Sequence, residues 1–479
     1  MIFNSFEFIF LFLPLTFIIY FLISKYNYNF AKAWMLFASL FFYSWWNPKY
    51  LPIILGSLLV NFLITRYIVN EQNSYRRTVL TIGILFNVLL LGFFKYFDFL
   101  ISNVNLVFSS SIPLLHLLLP LAISFYTFQQ IAYLVDSYRL ETKHYKFLDY
   151  SIFVTFFPQL IAGPIVQHYD VMDQFANKEN RKINYKNIAL GLFVFSIGMF
   201  KKVAIADTFA VYANHGYNMS ATLNIIDAWI TSLSYTFQLY FDFSGYSDMA
   251  IGLALLFNIT LPKNFNSPYK ALDIQDFWRR WHITLSNFLT KYLYIPLGGN
   301  RKGSTRTYLN IFIIFLVSGI WHGAGWTFVL WGVAHGIAMM INRYWRNAGF
   351  SLNKVVAWFI TFQFVNAAWV LFRAPSFDVA LNVYKGMLGF NGIAIPDQLS
   401  NLLNTSLDIP VYTFTFSTSF VMIALLLVLA LCISVFMKNS LQLRDSFKPN
   451  FMTAVFCSAL FLYAVFQIQE VTEFLYFNF

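Results

Sequence analysis

Charge is what this sequence has least of. Asp, Glu, Lys and Arg make up 11% of its 479 residues, whereas a soluble globular domain carries about a quarter, so a soluble globule is excluded. Cysteine is nearly missing: Cys432 and Cys457 both fall inside apolar runs, which argues against a structural disulfide and leaves no zinc motif or redox pair. A transmembrane barrel needs polar and apolar residues alternating over ~10-residue segments, and runs such as 309–320 and 420–437 are instead apolar on every face. Nor is an internal repeat visible, a feature that a transporter or flippase of similar composition would typically show.

What fills the chain is apolar: 58% of residues are hydrophobic and 21% are Phe, Trp or Tyr. Apolar stretches recur from end to end, and one of about 18 residues crosses a hydrocarbon core of ~30 Å as a helix, which satisfies its own backbone in lipid. The fold class is an all-α polytopic membrane protein. Candidate spans lie near residues 6–23, 33–46, 51–69, 79–97, 113–135, 150–166, 187–206, 225–258, 308–321, 325–342, 355–372, 418–437 and 451–468. Stretch 150–166 ends in Ala162-Gly163-Pro164, and 225–258 carries Asp242 and Asp248, so re-entrant or broken helices are expected there and about eleven true crossings overall.

The net charge of +11 does not point to nucleic acid, because the basic residues sit in short connections between apolar runs, as in cytoplasmic loops. Read that way, both the N-terminus and the tail at 467–479 emerge on the outer side. The first apolar stretch holds Glu7 and is followed by no small-residue cleavage site, so it reads as a retained span. Residues 1–479 are treated as one domain.

The longest basic connection, residues 261–307, carries Lys263, Lys270, Arg279, Arg280, Lys291, Arg301, Lys302 and Arg306. Wound as a helix, Phe277, Trp278, Trp281, Leu285, Phe288 and Tyr292 share one face, and Arg279, Arg280, Asn287 and Lys291 the other. The plain reading is a surface helix held to anionic lipid; the sharper one adds a basic cytoplasmic mouth that attracts the phosphates of a coenzyme A donor. His282 stands at the edge of the apolar face, where a lone histidine is more often a packed residue than a catalyst.

From Tyr308 to Asn342 there is no Asp, Glu, Lys or Arg, yet Trp321-His322-Gly323-Ala324-Gly325-Trp326 interrupts the run. An ionisable residue at such depth needs partners or a wet cavity, and the glycines after it allow a helix break that gives a substrate room. Neutral imidazole can take the proton of an acceptor hydroxyl, which suits transfer from an activated thioester. The competing reading is a histidine bonded across a helix pair, and on these residues alone both stand. His335, in Gly332-Val-Ala-His-Gly336, reads as structural, while His116, His144, His168 and His215 carry no spacing signal. Asp242 and Asp248 need partners inside the bundle; Arg279 or Arg280 is the expected source, as a structural ion pair or to position substrate.

Five motifs together resemble the membrane-bound O-acyltransferase family, in its alginate and peptidoglycan O-acetyltransferase branch: Phe41-Phe-Tyr-Ser-Trp-Trp-Asn-Pro48, Tyr240-Phe-Asp-Phe-Ser-Gly-Tyr-Ser-Asp248, Asp276-Phe-Trp-Arg-Arg-Trp-His282, Leu297-Gly-Gly-Asn-Arg301 and Gly319-Ile-Trp-His-Gly323. The resemblance implies a ring of tilted helices around a central funnel, in a bacterial inner membrane. It implies that His322, after Trp321, is catalytic, with His282 near the same tunnel. The implied donor is acetyl-CoA and no metal is implied. The implied partner is an extracytoplasmic serine hydrolase-like (SGNH-like) protein that esterifies a polysaccharide. A teichoic-acid D-alanylating relative, or a longer-chain acyltransferase, is the alternative within the family. The tail Phe474-Leu-Tyr-Phe-Asn-Phe479 resembles the aromatic motif of the small peptide that serves the D-alanylating relative, which makes Tyr476 either an acyl relay or an aromatic anchor at the outer interface.

Overall fold

The computed structural model describes residues 1–143, 145–219, 222–403, 410–468 and 474–475. Among them the chain is mostly helical, its strands being two short pieces, Ile395–Pro396 and Val411–Tyr412, paired in parallel with Ile395 opposite Val411. Six helical stretches among the described residues are long and apolar enough to cross a membrane: Glu7–Tyr26, Pro48–Ile68, Arg76–Phe108, Tyr185–Asn218, Ser304–His322 and Lys354–Arg373. Phe420–Phe436 and Phe451–Phe466 are apolar but shorter, at 17 and 16 residues.

At the centre stands the 32-residue helix Ile225–Leu256. Asn224 caps it, its side-chain oxygen accepting from the amides of Ile226 and Asp227, and the Tyr412 hydroxyl donates to Asp227 at 2.6 Å. The sequence predicts a broken element here because of Asp242 and Asp248, but the helix is uninterrupted. Each carboxylate is answered by a lysine of the neighbouring helix, so the backbone need not open to solvate it. That neighbour, the continuous stretch Tyr185–Asn218, lies unusually close: a Cβ on Gly198 would stand 2.6 Å from the Gly245 carbonyl, and one on Gly252 2.6 Å from the Gly191 carbonyl. Glycines seven residues apart on both helices therefore bring the backbones together, the small-residue packing of membrane bundles.

The span expected at 113–135 is helical only from Ile123. Pro113 and Pro120 lack amide hydrogens and disfavour helix in the residues before them. The Asp98 carboxylate receives the freed amides of Leu115 and His116 at 2.8 and 2.9 Å. As expected, the stretch around 150–166 is broken, into helices Phe147–Thr155 and Phe157–Leu160 and a turn. Residues 274–294 do not form the single amphipathic helix predicted either. The chain breaks at His282, which has a left-handed backbone with φ 43°, into helices Ile274–Trp278 and Ile283–Leu289 and a π-helical turn, Thr290–Tyr294. Phe277, Trp278, Trp281, Leu285 and Phe288 are buried in protein.

Candidate active site

The Ser304–His322 helix ends on the histidine, and Gly323 after it is extended. A Cβ on Gly323 would stand 2.2 Å from the Phe328 ring, so glycine lets the chain reverse against the returning helix Trp326–Asn347. His322 is 2% exposed, its ring set among Trp321, Trp331 and Phe372 at centroid distances of 4.8, 5.2 and 5.1 Å. A cavity of about 310 Å³ begins one residue on: Gly323, Ala324 and Phe328 line it, with Lys95, Asp98 and apolar side chains from 93–97 and 115–119.

His282, fully buried, lies near Trp321, the two ring centroids 6.5 Å apart. The break at its left-handed backbone turns its Nδ1 to the Asn264 side-chain oxygen, 3.0 Å away. That oxygen also accepts from the Thr284 hydroxyl at 2.9 Å, and the Asn264 amide nitrogen donates to Ser247. With Asn264 so oriented, Nδ1 carries the proton and Nε2 is the basic nitrogen. A narrow polar crevice, lined by Lys201, Ser247, Asp248, Asn264, Asn439 and Ser440 among others, reaches Asn264 from a different set of elements than those around the larger cavity.

The partners of the two aspartates are not the expected arginines. Arg279 is exposed and Arg280 bonds Asp276 one turn back, at 2.9 Å. Instead Lys202 lies 2.9 Å from Asp242 and 2.7 Å from Asp207, and Lys201 lies 2.7 Å from Asp248. Both lysines occupy the π-helical segment Lys201–Ala206, just past the glycine crossing that presses their helix onto Ile225–Leu256. Lys291, assigned to the polar face, is bound by Asp136 and Glu141 at 3.0 Å each.

Tyr476 lies outside the described residues. Two residues before it, Phe474 is 2% exposed, its ring stacked at 4.5 Å on Tyr246 and 5.6 Å from Phe243. The Leu475 amide donates to Asp242 at 3.0 Å. Phe243 in turn lies 4.8 Å from His282. A continuous line of ring contacts thus runs from Phe474 through Phe243, His282 and Trp321 to His322, and Phe474 is interior.

The family model described as MBOAT, the membrane-bound O-acyltransferase family, matches residues 135–377, which hold both histidines and both aspartates. The peptidoglycan O-acetyltransferase of Helicobacter pylori is 49% identical, over 100% of this chain and 98% of its own length. The chain belongs to the membrane-bound O-acyltransferase family. A protein of Azotobacter vinelandii named probable alginate O-acetylase is 41% identical over 85% of this chain and 82% of its own. The teichoic acid D-alanyltransferase of Streptococcus thermophilus is more distant, 26% identical over 49% of this chain and 59% of its own.

This MBOAT protein is therefore an acyltransferase enzyme, multi-pass in the membrane. Its site holds side chains that the sequence reading passed over. Lys201 and Lys202 sit at the end of an apolar run and were legible as charges at membrane depth. Lys95 lies inside the expected span 79–97 and carried the same signal. Asn264 carried none, since asparagine is common in loops.

Proposed function

We propose that this enzyme takes an acetyl group from a cytoplasmic thioester, acetyl-CoA, and passes it across a bacterial inner membrane to O-acetylate a cell-envelope or secreted polysaccharide of the peptidoglycan or alginate type. The observation that carries the reading is His322, buried at a helix end with the wall of a cavity starting at the next residue. The names of the two relatives that align over most of this chain support the acyl group and the acceptor class. In this reading the polar crevice at Asn264 leads from the donor side and the cavity at Gly323 from the acceptor side. About eleven crossings surround a thin centre, both chain ends face outward, and residues 1–479 act as one domain.

In the chemical step, His322 takes the proton of the acceptor hydroxyl as its oxygen attacks the thioester carbonyl carbon. The C–O bond forms, the C–S bond breaks, and the imidazolium returns the proton to the departing thiolate. His282, neutral and fixed by Asn264, is the second polar group beside the path. Asp242 and Asp248, neutralised by Lys202 and Lys201, shape the path and do not act as bases. The first acceptor is the Tyr476 phenol, because Phe474 and Leu475 bring the tail into the interior beside Asp242. An extracytoplasmic protein with an SGNH-like serine then takes the acetyl group onward.

Ester-linked acetate on the cell envelope, measured in cells expressing equal membrane levels of the wild type, His322→Ala and Tyr476→Phe, tests this. The wild type should give ester and His322→Ala background only; equal ester in both ends the enzymatic role of His322. Full ester in Tyr476→Phe removes the relay while leaving the transfer. Supplying D-alanyl in place of acetyl thioester tests the alternative acyl group.

A further inference from the structure

The last carbonyls of a helix have no intrahelical donor, and in a low-dielectric interior each needs one from elsewhere. The end of the Ser304–His322 helix meets this need through another element, the π-helical segment Gly92–Tyr96. The Tyr96 hydroxyl donates to the Ile320 carbonyl at 2.8 Å. The Lys95 ammonium donates to the carbonyls of Trp321 at 2.5 Å and His322 at 3.1 Å, and to the Ser124 hydroxyl at 3.4 Å. Three acceptors match the ammonium's three N–H groups. The cation sits at the negative end of the helix, 5.7 Å from the centroid of the Trp321 ring, and on the wall of the cavity beside Gly323.

We propose that Lys95 is a positioning residue for His322: its ammonium fixes the backbone of Trp321 and His322 and thereby sets where the buried imidazole stands. Two features set it apart from a tether that merely joins two helices. A charge within an apolar span is costly, and a hydroxyl such as that of Tyr96 would satisfy a carbonyl without that cost. The π-helical turn, a wider and rarer form that recurs at functional sites, lets the adjacent Lys95 and Tyr96 both reach the same helix end. The inference rests on His322 acting in the transfer, and it predicts a defect in the chemical step and not in donor binding, because misplacing a reacting group by about 1 Å costs up to ~100-fold in rate.

The test uses the full-length protein in proteoliposomes with acetyl-CoA as donor, reading thiol release for the wild type, Lys95→Met, Lys95→Arg and His322→Ala. Lys95→Met should lower kcat by ~10- to 100-fold with KM for acetyl-CoA within about 2-fold. Lys95→Arg, which keeps the charge and several donors, should recover most of the loss. Wild-type kcat in Lys95→Met, or a loss carried by KM alone, overturns the proposal. If Lys95→Met does not accumulate in the membrane, Lys95→Gln is judged by the same two criteria. His322→Ala separates the failures: if it is active, the catalytic reading itself falls; if it is inactive while Lys95→Met is fully active, the positioning role falls alone.

Discussion

Replacing Leu475 with proline removes one amide hydrogen from the contact between the tail and Asp242, and tests whether that contact holds the tail in place. The bond is 3.0 Å long and its acceptor is a carboxylate whose side chain is 1% exposed. A hydrogen bond to a charged group contributes about 1.5–3 kcal/mol, so the docked-to-undocked ratio should fall ~10- to 150-fold. Phe474→Ala should fall further, because truncating a buried phenylalanine costs about 3–5 kcal/mol and this ring also loses its stacking on Tyr246. Hydrogen exchange read by mass spectrometry is the assay, with the peptide around Phe474 as the reporter and peptides from Ile225–Leu256 as the internal reference. Both substitutions lie on the tail, so the reference peptides should keep wild-type protection while the reporter loses it, more in Phe474→Ala. Unchanged reporter protection in both variants would refute the docking argument, whatever the activity does.

Two further outcomes follow from the packing. Gly252→Val should lower the thermal midpoint of the purified protein and its acyl-transfer rate together. Its Cβ would meet the Gly191 carbonyl at 2.6 Å and the Phe195 amide nitrogen at 2.7 Å, both backbone atoms, at a cost of about 1–3 kcal/mol; an unchanged midpoint contradicts the glycine-crossing account. Burial pushes the Asp173 carboxyl up, but bonds from Lys143 at 2.8 Å and the Tyr145 hydroxyl at 2.7 Å outweigh it and hold the group below its usual 3.8. A carboxylate depressed on folding contributes stability that is present above its unfolded value and fades as pH falls through the folded one. The segment around Tyr145 should therefore loosen as pH drops below 3.8; intrinsic-corrected hydrogen exchange there that is the same at about pH 5 and about pH 3 would contradict this.

Much of the helical plan was legible because long apolar runs leave the backbone one solution in lipid. The break after His322 was legible from its glycines, and the need of Asp242 and Asp248 for partners from their depth. The partners themselves were not. Arg279 and Arg280 are near in sequence to a histidine of the site, but they follow the short helix Ile274–Trp278, with Arg279 exposed and Arg280 bound to Asp276, whereas Lys201 and Lys202 arrive through a helix crossing set by Gly191, Gly198, Gly245 and Gly252. Lys95, Lys201, Lys202 and Lys291 all sit in π-helical turns, and a π-turn has no pattern in a single sequence comparable to the periodicity of a helix or strand.

By itself the sequence determined the solvent of this protein and where an ionisable side chain would need partners: too little charge for water, and a histidine and two aspartates at membrane depth. Tertiary structure alone decided which groups face one another. It set both His282 and His322 against Trp321, gave the end of the His322 helix to Lys95, and brought Phe474 onto Tyr246 more than two hundred residues away in the chain. Those pairings depend on how closely helices approach and where a turn widens, and such distances are fixed by packing among all the elements at once, not by any one segment.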